Sequence, residues 1–232
     1  MGRSPDRASR NPCREGLSEA LMSDLYTYVM QHDAGLAPNP FWGTCTLAVC
    51  TPNHQGSRAK RGDWIAGVSD KGRGYKLIHV MEVDERVHMN DYFHDERFAA
   101  KKPILDGTAQ QRCGDNFYSL DATGRWTQHP NRYHTGTACL VQDTRHPWVF
   151  VARRFWYLGR KAVDMPAAFM PMFGGRGARV NHPPELVAAF KAWVQASLKE
   201  GVNALPRDLE GDGCSPPSAA QISSRGQASR PC

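Results

Sequence analysis

Lys60-Arg61-Gly62-Asp63-Trp64-Ile65-Ala66-Gly67-Val68-Ser69-Asp70-Lys71-Gly72-Arg73-Gly74-Tyr75-Lys76-Leu77-Ile78-His79-Val80-Met81-Glu82-Val83 decides the fold class. A basic turn enters a strand at Asp63, a Gly-rich basic loop follows, and a longer strand returns. The spacing predicts strands over 63–68 and 76–83. The same short pattern, β-branched and aromatic and bounded by Gly, Pro, Asn or Asp, recurs over 25–29, 44–50, 117–120, 138–142, 148–152 and 155–158. Helical spacing is rare. Asn90-Asp91 would cap a short helix reaching about Phe98. A longer helix begins after Asn181-His182-Pro183-Pro184, where Leu186, Phe190, Trp193, Val194 and Leu198 recur at helical spacing and Gly201 supplies a stop. Many short strands with few helices predict an α+β fold: a small, strongly curved β-sheet or barrel with a few packed helices, not a doubly wound parallel sheet.

Outward from this centre the composition changes. Residues 1–23 hold four arginines and two prolines with few large apolar residues, and 206–232 are rich in Ser, Pro and Gly. Both read as disordered, which leaves one globular domain over 24–205. The net charge is +6, and most of it belongs to that domain. A mildly basic domain is compatible with a polyanionic partner without demanding one. No apolar run approaches the roughly 20 residues of a membrane span. The start has no apolar stretch of a secretion signal, so a cytoplasmic location is expected. Met22 stands directly before the first strand and is an alternative initiator. The seven cysteines include no Cys-x-x-Cys pair, so no zinc site is predicted and reduced thiols are expected.

Four segments carry candidate chemistry. In His32-Asp33-Ala34-Gly35-Leu36-Ala37-Pro38-Asn39-Pro40-Phe41-Trp42-Gly43 the punctuation forbids regular structure. A rigid loop there could stack a base on Phe41 and Trp42 and bond its edge through Asp33 and Asn39; it could equally cap the core with its aromatics. The hairpin of Lys60 to Val83 carries six basic residues against Asp63 and Asp70 between Arg58 and Lys76. Arg73 in its loop suits a phosphate, though such runs are usually solvated. Cys113-Gly114-Asp115-Asn116 offers an acceptor and an amide donor at a turn, or simply closes on its own backbone. Phe173-Gly174-Gly175-Arg176-Gly177-Ala178-Arg179 precedes the long helix, and Arg176 and Arg179 are the best phosphate candidates by chemistry. Neither a P-loop nor a dinucleotide fingerprint is present, and no other cofactor motif is recognisable, which leaves the cofactor unknown. No nucleophile motif occurs. Acid–base candidates are Asp33, Asp63, Asp115 and His79, and a satisfied histidine in a strand is the commoner reading of His79.

Seven short motifs stand in order: Leu25-Tyr26-Thr27-Tyr28-Val29 with Asp33; Ala37-Pro38-Asn39-Pro40-Phe41; Gly62-Asp63-Trp64-Ile65; Lys101-Lys102-Pro103; Cys113 to Tyr118; Phe155-Trp156-Tyr157-Leu158-Gly159; and Gly174-Gly175-Arg176-Gly177 before Pro183-Pro184-Glu185-Leu186. In this order, over about residues 25–200, the chain resembles the bacterial and phage family called nucleotide-modification-associated domain, second type. The resemblance implies a place near DNA or nucleotide modification and carries over no catalytic residue. Residues 60–98 also resemble a unit of PUA-like modules such as EVE and ASCH domains, small curved barrels that bind RNA or a flipped modified base; that is a likeness of fold alone.

These readings converge on a nucleic-acid or nucleotide binding module that recognises a modified base. Asp33, Asn39, Asp115 and Asn116 would read polar edges. Phe41, Trp42 or Trp64 would stack, and Arg73, Arg176 and Arg179 would hold phosphates. The alternatives are an enzyme acting on a modified base or nucleotide, and a protein-interaction domain presenting the aromatic strands.

Overall fold

The computed structural model describes residues 23–49, 56–175 and 177–209. The two strands predicted over 63–68 and 76–83 form an antiparallel hairpin, β3 (Trp64–Ser69) and β4 (Leu77–Glu82), in the interior of a five-stranded sheet. The sheet order is β1 (Leu25–Met30), β3, β4, β9 (Arg154–Tyr157), β10 (Gly201–Val202). β1 runs parallel to β3, and β10 runs parallel to β9. A second, antiparallel sheet is ordered β2 (Cys45–Leu47), β8 (Trp148–Ala152), β5 (Glu85–His88). β6 (Tyr118–Leu120) and β7 (Trp126–Gln128) make a separate hairpin. The helices are α1 (Met89–His94), α2 (Ala109–Arg112), α3 (Thr137–Asp143) and α4 (Pro184–Ser197).

Both faces of the five-stranded sheet are covered, which explains why β1 reads Leu-Tyr-Thr-Tyr-Val-Met without polar alternation. Successive side chains point to opposite faces. Leu25 joins Trp64, Val80 and Trp156 against α4, whose Val187, Phe190 and Val194 fall on one stripe. Burying a ring such as Phe190 stabilises the layer by about 1.5–3 kcal/mol. Tyr26, Tyr28 and Met30 point the other way, with Ile65, Met81 and Tyr157, into the second sheet at Leu47, Phe150 and Ala152. The far side of that sheet packs Val149 and Val151 on Tyr92, Phe98, Phe117 and Tyr118. The result is a layered α+β domain.

The expectations need four corrections. The strands make three sheets, and among the described residues none closes into a barrel. The strand predicted over 138–142 is helix α3: Cys139 is buried and Val141 exposed, although a strand would place both on one face. α1 is capped by His88, whose ring accepts from the Asn90 N–H, not by Asn90-Asp91. α4 ends at Ser197, before Gly201; Leu198 is extended because the free edge of β9 takes the chain as β10. Among the described residues no helix is long and apolar enough to cross a membrane.

Candidate functional site

The β1–β2 connection builds the site. Asn39 and Thr46 exchange two backbone hydrogen bonds of 2.8 and 2.9 Å, so the residues between them stand out as a loop. At its tip Trp42 and Gly43 both have positive φ, 58° and 82°. That sign pattern belongs to a type I′ hairpin turn. Glycine adopts it freely and tryptophan does not. Phe41 turns inward and packs on Ala109, Cys113 and Leu209. Trp42 stays 39% exposed and meets the Phe41 ring edge-on at 5.6 Å.

This loop forms one wall of a cleft of about 610 Å³. It is lined by Pro40, Phe41, Trp42 and Gly43 of the loop, by Gln110 of α2, and by Arg153, Phe155, Glu200 and the β10 residues Gly201 and Val202. Phe41 and Phe155 are buried and give the cleft an aromatic lining, while Trp42 and Val202 face solvent. Two charges of opposite sign stand in it. Arg153 is 3.2 Å from Asp84, and Glu200 is 3.6 Å from Arg154; both ion pairs are exposed and weak.

A buried polar cluster underlies the loop. The Lys101 ammonium donates to the Asn39 carbonyl at 3.0 Å, to Asn39 Oδ1 at 3.1 Å and to the Thr44 carbonyl at 2.7 Å. It therefore grips both ends of the segment that carries Phe41 and Trp42. Burial pulls its pKa down to about 8, against the opposing pull of Asp115. Burial also pushes the neighbouring Cys45 thiol up to about 12. Asp115 accepts from Thr46 Oγ1 at 2.6 Å and from the Tyr92 hydroxyl at 2.8 Å, and its pKa is raised by burial. Asn116 donates to the Tyr92 and Phe98 carbonyls. Asn39 donates to the Cys113 carbonyl and accepts from the Phe41 N–H. Asn39, Asp115 and Asn116 are thus buried beneath the loop and do not line the cleft.

The other candidates lie in separate arrangements. Asp33 is buried, accepts from the Tyr157 hydroxyl and the Arg207 N–H, and is raised by burial. Asp63 closes the turn before β3 by accepting from the Lys60 and Asp24 N–H groups, each at 2.9 Å. His79 lies inside β4 with its Nε2 at 2.7 Å from the Tyr28 hydroxyl. Trp64 is a core residue, stacked on Trp156 at 5.2 Å. Arg73 pairs with Asp70 inside the hairpin loop. The Arg179 guanidinium donates to the Pro171 carbonyl, while its backbone pairs with Thr27 at the edge of β1. Arg176 lies outside the described residues. Gly174 comes against Tyr75, so the two predicted phosphate segments adjoin one another, but none of their described arginines lines the cleft.

Of the predicted set, Phe41 and Trp42 are at the cleft. Sequence reasoning missed Gln110, Arg153, Phe155, Glu200, Gly201 and Val202, together with Lys101 beneath. The available signals were the doublet Arg153-Arg154 between two aromatic strands and the motifs that hold Lys101 and Phe155. Among the described residues no three His, Cys, Asp or Glu side chains gather as metal ligands would. Residues 22–212 match the family model described as nucleotide modification associated domain 2. No curated protein and no solved structure matches.

Proposed function

The chain belongs to the nucleotide modification associated domain 2 family, and from that premise we propose that it is a binding module for a nucleotide, or for a modified base presented by a nucleic acid. The observation that carries this reading is the cleft beside the Trp42 loop. Its volume falls within the range of small-ligand sites, about 300–1,000 Å³. Trp42 offers an exposed ring for stacking, and Phe41 and Phe155 offer apolar contact. Arg153 would meet a phosphate in place of its exposed partner Asp84. Gln110 and Glu200 supply the donor and acceptors that distinguish one base edge from another.

Binding is favoured over catalysis by where the acid–base candidates stand. Asp33, Asp63, Asp115 and His79 each sit in a different hydrogen-bonded arrangement, and none lines the cleft. A general base must reach the proton it removes.

The test is an equilibrium binding panel at low and high salt, comparing plain duplex, plain single strand, duplexes carrying modified bases, and free modified nucleotides. A preference for one modified species that survives high salt and is lost in Trp42→Ala is the expected result. Equal, salt-sensitive binding to every species would mark a basic surface only and overturn the reading, as would no binding.

A further inference from the structure

A second surface, on the β5–β8 edge, combines tryptophans with cations. The Arg86 guanidinium carbon lies over the Trp148 ring, 4.4 Å from its centroid. Beside it the His88 ring meets Trp148 edge-on at 5.6 Å and Trp126 of β7 at 5.7 Å, with planes 32° apart. Register explains the cluster: Arg86 pairs with Phe150 and His88 with Trp148, so both basic residues share one face of the strand pair with the aromatics. The turn leading into β8 adds Arg145 and His146, both exposed.

Among the described residues, the charges here are not neutralised by carboxylates, as those of six other arginines are. Arg73, Arg97, Arg125, Arg153, Arg154 and Arg207 are each ion-paired with a carboxylate. Among the described residues Arg86 and Arg145 form no such pair. The nearest acidic group on β5, Glu85, is engaged by Arg97. Desolvation lowers the Arg86 pKa, with no carboxylate opposing it. An arginine on a tryptophan leaves the outer face of a flat cation toward solvent, and such planes stack bases as aromatic rings do. Guanidinium plane, indole rings and unneutralised cations together match a strand whose bases are unstacked and whose backbone is anionic. A duplex keeps its bases covered and would use only the charge.

We propose that Arg86, His88, Trp126 and Trp148, with Arg145, form a contact site for single-stranded nucleic acid. The site shares no residue with the Trp42 cleft and rests on family membership without needing the cleft reading.

The experiment uses the full chain, a fluorescent oligodeoxythymidylate of about 12 nucleotides, a duplex of equal length, and free thymidine monophosphate. Arg86→Gln is expected to weaken oligomer binding by about 5-fold or more. It should also reduce the steepness of the salt dependence by about one phosphate contact. Arg86→Lys should keep the salt dependence while losing most of the affinity, because the charge remains and the plane does not. Thermal unfolding of both variants should match the parent, since Arg86 is exposed. The proposal is overturned if the parent binds the duplex as tightly as the oligomer, if it binds no oligomer, or if Arg86→Gln combined with Arg145→Gln binds as the parent does. Monophosphate binding that is unchanged by Arg86→Gln and lost in Trp42→Ala separates the two sites. Loss of the cleft reading alone would leave oligomer binding sensitive to Arg86.

Discussion

Lys101 donates to the Thr44 carbonyl at 2.7 Å from beneath the loop that Trp42 tops, and the same ammonium holds Asn39 on the loop's other side. A single buried cation therefore closes the base of the cleft wall. A neutral amine has two N–H donors, one fewer than the acceptors it faces.

Lys101→Met should leave three acceptor oxygens without this donor and destabilise the fold by about 2 kcal/mol at neutral pH. Its pH dependence has a defined sign. The native pKa is about 8, below the unfolded value of about 10.4. Between the two the unfolded chain binds more protons, so parent stability rises with pH there, on the order of 1.4 kcal/mol per unit. The variant lacks that slope. Urea unfolding from about pH 7 to about pH 10 should show its deficit widening, and parallel curves would refute the assignment.

Trp42→Asn separates stability from binding. Asparagine tolerates positive φ, so the change relieves about 1–2 kcal/mol of backbone strain. It removes an edge contact with Phe41 of about 0.5–1.5 kcal/mol. These terms nearly cancel, and the unfolding free energy should stay within about 1 kcal/mol of the parent. Binding of a cleft ligand should weaken by about 1–3 kcal/mol. A large loss of stability would make Trp42 a structural residue.

Gly114→Ala tests the support of Lys101 from the opposite side. A Cβ at Gly114 would fall 2.4 Å from the Lys101 carbonyl oxygen and 2.5 Å from the Pro103 nitrogen. Both are backbone atoms, which cannot swing aside. The segment bearing Lys101 must shift, at a cost of about 2 kcal/mol or more. Cleft binding should fall with it. Unchanged stability and binding would mean that this backbone yields freely.

The central hairpin was legible because its two apolar runs and Gly-rich joint admit few other readings. The Phe41–Trp42 loop was legible too: Pro-Asn-Pro-Phe-Trp-Gly cannot form a regular element. Arg153, Glu200 and Val202 were not, because their meeting depends on the parallel pairing of β10 with β9, a contact between distant segments that no local period encodes. Helix α3 was misread for a related reason. Ala-Cys-Leu-Val-Gln suits either period, and only the buried Cys139 and Asp143, one helical turn apart, decide it. Asp115 and Asn116 look like ligand-reading groups in sequence and Asp63 like an acid–base candidate, yet their partners lie within the fold.

Asp33 and Asp208 should respond to pH with opposite signs, although each accepts a backbone N–H from the other's segment: Asp33 from Arg207, and Asp208 from Asp33 itself. Burial raises Asp33 above the ordinary carboxyl value. From the unfolded pKa of about 3.9 up to that raised value the native state binds more protons, so the contribution of Asp33 to stability falls as pH rises. Asp208 is lowered, chiefly by its bond from the Arg207 side chain. Its contribution is present above about pH 3.9 and is lost as pH falls through its native pKa. Relative to the parent, Asp33→Asn should therefore improve as pH rises from about 4 toward neutrality, then level off. Asp208→Asn should be the weaker protein near neutrality and converge on the parent in acid. Its effect is the smaller of the two, since this pair is partly solvent-screened. Urea titrations of the three proteins from about pH 2 to neutrality give both slopes directly. Two variants with slopes of the same sign would mean that the segment carrying Arg207 and Asp208 does not clasp Asp33 as described.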